Sequence, residues 1–254
     1  MTAPKPYFDD GQVSLYVGDC REILPALGLE ADCVVADPPY GETALDWDDW
    51  PGGWLRVAAG VTRSLWCFGS MRMFLEHADE FTETSWKLSQ DVIWEKQNGT
   101  GFADDRFKRV HETVTHWYRG EWRSVYHAAP KTEVAWRTVA NSGRAQPPHT
   151  GTIGSRAWAD DGTRLARSVQ RIPNMWRRNP IHPTQKPVEL LDLLIAYACP
   201  PGGLLVAPFA GSGSDLEAAR LTGRRAVGIE AREAYAEKAA RRLSQATLFD
   251  GEAS

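Results

Sequence analysis

The sequence has no long apolar run. A membrane-spanning helix needs roughly 20 consecutive apolar residues, and no stretch of this 254-residue chain approaches that. Residues Met1–Gly11 show no apolar core behind a basic start, so no secretory signal is expected there. Cysteine is scarce and scattered. Cys20, Cys33, Cys67 and Cys199 lie far apart without metal-ligand spacing, which argues against a disulfide framework and a cysteine-bound metal. Free buried thiols in a reducing cytoplasm are the expectation. A basic surplus is also lacking, since the formal net charge is -4. Internal repeats are absent. What remains is an apolar content of 43%, ordinary for a globular protein, and enough length for one α/β domain carrying an insertion.

The charge is unevenly spread. Between Arg106 and Pro187 there are 15 Lys and Arg against 5 Asp and Glu, and the rest of the chain holds 14 against 28. Five of the six histidines fall in the same basic block. A polyanion can dock on such a segment while the rest of the chain stays acidic. A solvated face with scattered arginines fits the same numbers.

Hydrophobic patterning predicts alternating strands and helices. Strands are expected at Val13–Val17, Asp32–Ala36, Ser64–Phe68, Ser89–Glu95, Glu112–Tyr118, Leu204–Ala207 and Arg225–Ile229. Helices are expected at Cys20–Leu29, Met71–Phe81, Pro187–Cys199, Asp215–Leu221 and Arg232–Leu243. Several strands are continuously apolar, as strands buried on both faces are. The expected fold is therefore α/β with a doubly wound, mainly parallel sheet, and its ligands lie at the carboxyl ends of the strands. Gly120–Asn179 lacks sustained periodicity and is rich in Arg, Trp, Gly and Pro. It reads as an insertion with little regular structure.

Two strand ends carry chemistry. After Leu204–Ala207 comes Pro208-Phe209-Ala210-Gly211-Ser212-Gly213, then a helix. Two glycines one residue apart let backbone amides approach a ligand closely. The following strand ends in Glu230, a carboxylate placed to accept hydrogen bonds from two ribose hydroxyls; a helix N-cap would explain it equally. A dinucleotide loop would carry a third glycine where this chain has Leu216, which argues against a pyrophosphate ligand and a nicotinamide oxidoreductase.

The other strand end is Asp37-Pro38-Pro39-Tyr40. An aromatic amine is a poor nucleophile because its lone pair is delocalised into the ring. A carboxylate and a carbonyl that accept its two N–H bonds pull the nitrogen toward tetrahedral geometry. Asp37 and the carbonyl of Pro38 suit that task, and the prolines stiffen the carbonyl's direction. Tyr40 suits stacking on an extruded base. The same four residues also make a plain strand-to-turn stop.

Together with His182-Pro183-Thr184-Gln185-Lys186-Pro187, these two motifs resemble those of the amino-group DNA methyltransferases. The order, base-site motif first and cofactor loop last, resembles the beta class of that family. The resemblance spans about residues 13–119 and 180–243, including Trp94-Glu95-Lys96 and the strand from His111-Glu112 to Tyr118. It implies a Rossmann-like methyltransferase core, circularly permuted, over 1–119 and 180–254, with a target-recognition insertion over 120–179. It implies S-adenosylmethionine as cofactor and double-stranded DNA as partner, in the cytoplasm, and admits a homodimer and a cognate restriction nuclease. Asp37, Pro38, Pro39 and Tyr40 are then catalytic. Asp19, Thr184, Lys186, Pro208, Phe209, Gly211, Ser212, Gly213 and Glu230 bind the cofactor, with Asp19 near its adenine and Thr184 and Lys186 near its methionine end. No metal is required. A helix N-cap for Thr184 and a surface charge for Lys186 are the plainer alternatives.

The chain departs from the family at Ala207, where Asp usually precedes the Pro-Phe pair and meets the cofactor's ammonium. Weaker cofactor binding, or compensation by Asp215, is the expectation. Asp37 favours adenine N6 as the acceptor. The rival readings are cytosine N4 (which a Ser at that position would favour), a protein glutamine (which an Asn would favour) and a non-catalytic DNA-binding protein.

Overall fold

A computed structural model of the chain describes residues 4–43, 45–100, 104–133, 163–173 and 185–250. By its internal contacts the chain divides into a larger unit, Met1–Ala128 with Ser168–Ser254, and a smaller one, Ala129–Arg167.

The larger unit is built on a nine-stranded sheet. Its strands are β1 (Phe8–Asp9), β2 (Val13–Val17), β3 (Cys33–Ala36), β4 (Ser64–Gly69), β5 (Lys87–Thr100), β6 (Arg109–Tyr118), β9 (Val169–Gln170), β10 (Leu204–Ala207) and β11 (Arg225–Glu230). The helices are α1 (Cys20–Leu27), α2 (Trp54–Val61), α3 (Met71–Glu76), α4 (Ala78–Glu83), α5 (Val188–Ala198), α6 (Ser214–Leu221) and α7 (Glu233–Asp250). The smaller unit holds β7 (Lys131–Glu133) and β8 (Thr163–Leu165), paired antiparallel.

The strand order is β1-β2-β11-β10-β3-β4-β6-β5-β9. β2, β11, β10, β3 and β4 are parallel, while β4–β6 and β6–β5 are antiparallel. The last two parallel strands of the chain enter between the first and second. That places β10 beside β3, with Leu205 opposite Cys33 and Val206 opposite Val34. Two strand ends far apart in sequence, Asp37 and Pro208, thus become neighbours at the point where the strand order reverses, the usual ligand crevice of an open α/β sheet.

Strand pleating sorts the core into two layers. Cys33 and Val35 face the layer built on α5, α6 and α7, whereas Val34 and Ala36 face the one built on α1 to α4. The sheet is therefore covered on both faces, which is why its strands read as unbroken apolar runs.

Several boundaries differ from expectation. The helix expected over Met71–Phe81 breaks at His77, whose φ of -112° and ψ of 15° are not helical. Its ring stacks on Trp50 at 4.1 Å, and Glu80 accepts from Trp50 Nε1 at 2.7 Å. Helix α2 was not among the expected helices, although its buried residues Trp54, Leu55, Ala58 and Val61 recur at helical spacing. The described parts of 120–179 hold a 3₁₀ turn at Trp122–Ser124 and three short strands. No helix among the described residues is long and apolar enough to cross a membrane. All four cysteines are buried free thiols.

Candidate active site

The carboxyl ends of β2, β3, β10 and β11 surround a cavity of about 360 Å³. It brings together Asp19, Asp37, Pro38, Pro39, Tyr40, Lys186, Pro208, Phe209, Gly211, Ser212 and Glu230. Gly213 is not in its lining: it caps α6 at a φ of 73°, and a Cβ there would lie 3.1 Å from that of Ala239. Its glycine answers a left-handed turn and the close approach of α7. Thr184 lies outside the described residues.

On the β3 side the charges form an alternating chain. Asp37 accepts from the Tyr40 hydroxyl at 2.7 Å through Oδ1, and Oδ2 meets Lys186 Nζ at 2.5 Å. Lys186 Nζ also lies 3.4 Å from Glu112 and 5.0 Å from the centre of the Phe68 ring. Glu112 in turn bonds Lys96. Burial lowers the pKa of Lys186, but the Asp37 and Glu112 carboxylates outweigh burial and hold it above the ordinary value. Burial likewise opposes the charge on Glu112, yet the two lysines hold it below the usual glutamate range. Burial and the Asp37 charge push the Tyr40 hydroxyl well up, so it stays a donor. Lys186 is thus a buried member of the site, with a relative exposure of 7%.

The turn after Tyr40 is fixed by Asp48, which sequence reasoning missed. Its Oδ1 accepts from the amides of Tyr40 and Gly41 at 2.8 and 3.1 Å. Its Oδ2 accepts from Glu42 and Thr43 at 3.0 and 2.7 Å. Four successive amides that have left the strand ladder find one acceptor. Burial raises the pKa of Asp48 and these bonds more than reverse that. The loop beyond it reaches α7, where Asp46 pairs with Arg232 at 2.9 Å and Trp47 meets Tyr235 edge-on at 6.5 Å. A carboxylate eight residues after Tyr40 in a Trp-Asp-rich stretch was the visible signal.

On the β10–β11 side, Glu230 accepts from the Gly211 amide at 2.8 Å and the Arg232 amide at 2.9 Å. It ties the glycine loop to the start of α7. Burial pushes its carboxyl up, against those two bonds. Phe209 packs edge-on to Trp54 at 5.3 Å. Asp19 caps α1, its Oδ1 accepting from the Arg21 amide at 2.8 Å, and the Arg21 side chain beside it lowers its pKa. Asp215, on the first turn of α6, also lines the cavity and is buried. Burial pushes its carboxyl up to about 7.

A model of the DNA methylases that act on N6 and N4 amino groups matches residues 31–241, most of the chain. The chain belongs to this DNA methylase family. The match covers β3 and Asp37 at one end and the first half of α7 at the other. The methylase is 25% identical to the type II methyltransferase M2.DpnII of Streptococcus pneumoniae, over 94% of this chain and 92% of the relative. It is 22% identical to the type II methyltransferase M2.LlaDCHI of Lactococcus lactis subsp. cremoris, over 96% and 94%. Among solved structures, the complex of M1.HpyAVI with SAM has the same fold, with a TM-score of 0.65 at 20% identity, covering 91% of this chain and all of that one. The cytosine-N4-specific PvuII DNA methyltransferase does too, with a TM-score of 0.64 at 17% identity, covering 94% and 89%. The sheet order places the methylase's two motifs side by side despite their permuted order in the chain.

Proposed function

We propose that this methylase transfers a methyl group from S-adenosylmethionine to N6 of an adenine extruded from double-stranded DNA. The observation that carries this reading is the shared cavity: the Asp37-Pro38-Pro39-Tyr40 turn and the Gly211–Glu230 contact face one space across adjacent strands. The lining suits the cofactor. Glu230 and the glycine loop offer a carboxylate and close backbone for a ribose, Phe209 an apolar wall, and Asp215 a buried carboxyl for a cation. When bound, S-adenosylmethionine supplies an activated methyl group on a sulfonium.

The chain's own residues do the rest. Glu230 holds ribose hydroxyls, and Asp19 stands at the adenine end. Asp37 and the carbonyl of Pro38 accept the two N–H bonds of the base amine, and Asp37 takes the proton that the amine sheds. Tyr40 and Lys186 each occupy one lone pair of the Asp37 carboxylate, leaving capacity on both oxygens for the amine. Their grip fixes the carboxylate before the base arrives, which is where positioning gains rate. Extruding the base costs roughly a few kcal/mol, and the Tyr40 ring at the cavity offers a surface to offset part of it. The arginine-rich segment 120–179 is assigned to DNA contact on its charge, Arg123 and Arg171 being exposed among its described residues. This reading also implies a cytoplasmic protein.

Expression in a host lacking DNA methylation, followed by sequencing with modified-base detection, tests this reading. N6-methyladenine at a defined site is the expected result. N4-methylcytosine would move the acceptor to cytosine, and no modified base would defeat the reading.

A further inference from the structure

The acids in and beside the cavity are not equally neutralised. Asp37 has Lys186 and Tyr40, Glu112 has Lys186 and Lys96, and Glu230 has two backbone amides. Asp215 is as buried as Glu230, each at 9% exposure. Its Oδ1 accepts only from the neighbouring Leu216 amide at 2.9 Å. Among the described residues it has no ion pair and no donor to Oδ2. The nearest base, Arg242, is committed to Glu217 and to Ser214 Oγ. With no protein donor to Oδ2 and the residue in the cavity lining, this carboxyl is open to a partner that enters the cavity.

We propose that Asp215 is the anchor for the α-ammonium of the cofactor's amino-acid portion. This rests on the cofactor assignment above. An ammonium brings both the missing positive charge and the missing hydrogen donor. A sulfonium carries charge but no N–H, and cannot satisfy Oδ2. Asp215 stands eight residues beyond Ala207, on the far side of the same glycine loop. The strand end that lacks a carboxylate and the helix turn that carries one stand on either side of that loop.

Three ligands separate the alternatives in calorimetric titration: S-adenosylmethionine (ammonium and sulfonium), S-adenosylhomocysteine (ammonium alone) and methylthioadenosine (neither). Asp215→Asn is expected to weaken the first two by roughly ten- to a hundredfold, the range of a charge-assisted hydrogen bond, and to leave methylthioadenosine unchanged. The unchanged ligand also reports that the site is folded. In the wild type, homocysteine-ligand affinity should fall as pH drops below about 7, where the buried carboxyl protonates, and Asp215→Asn should flatten that dependence. The other charged groups on elements around α6 are Asp37, Glu189, Asp192, Glu230 and Arg242; the variant retains them all, so a slope it keeps belongs to them. Unchanged binding of all three ligands overturns the assignment, as does weakening confined to S-adenosylmethionine, which would mark the sulfonium instead. A wild type that binds none of the three defeats the cofactor reading itself.

Discussion

Asp37, at the end of β3, and Asp215, on the first turn of α6, line one cavity, and their carboxyls are held differently. Asp37 sits in an alternating chain of charges closed by Lys186, Glu112 and Lys96. Asp215 sits in a buried turn with one amide for company and a carboxyl pushed up to about 7. The first arrangement is complete within the protein. The second is completed by what binds. The difference separates a wall that must be rigid before a base arrives from a wall that gives its unspent interaction to a ligand. Burying a charge is tolerable when its partner is built in, and otherwise the group keeps its proton until a partner comes.

Four variants test this contrast. Asp37→Ala should lower methyl transfer by roughly 10³-fold, because it removes the acceptor that activates the amine. Gel-shift affinity for DNA should hardly change, and retained turnover would remove Asp37 from the chemistry. Lys186→Met should cost roughly 3–5 kcal/mol in urea unfolding, since Asp37 loses its cation and Glu112 keeps only Lys96. That deficit should shrink as pH falls, because Glu112, deprived of one lysine, takes up a proton more readily.

Asp215→Asn should act in the opposite direction. The wild-type carboxyl keeps its proton to about pH 7 when folded and only to its ordinary range when unfolded. Wild-type stability is therefore lost as pH rises between those values. The variant escapes this loss, so its advantage in ligand-free thermal unfolding should be absent at pH 4 and reach roughly 1–3 kcal/mol at pH 8. A variant less stable at pH 8 would mean that Asp215 is neutralised within the protein. The smallest effect is expected for Tyr40→Phe, which keeps the ring and loses one bond to the Asp37 carboxylate. Its kcat should drop about tenfold, the worth of one such bond, at unchanged KM for the cofactor.

Much of the fold was legible from periodicity. β2 and β10 have the bounds expected from their apolar runs, and α6 and β11 differ from expectation by one residue. The misses have physical causes. His77 interrupts a helix because its ring stacks on Trp50 from another segment, and no local signal announces a distant partner. Helix α2 has its buried residues at helical spacing but spans little more than two turns, too short for periodicity to stand out. At the site, Asp37 and Glu230 stood at strand ends where chemistry is expected, whereas Asp48 acts through four amides that only the folded turn presents together.

The alternation of strands and helices, the buried character of the sheet and the three motifs with their order can be read along the chain. These depend on local spacing, which the chain carries openly. That β10 inserts beside β3, that Lys186 bridges Asp37 and Glu112, that Gly213 serves packing and that Asp215 lines the cavity without a counter-ion emerge only on folding. Those facts depend on which distant groups share a low-dielectric space, and a charge has no fixed meaning until its neighbours there are known.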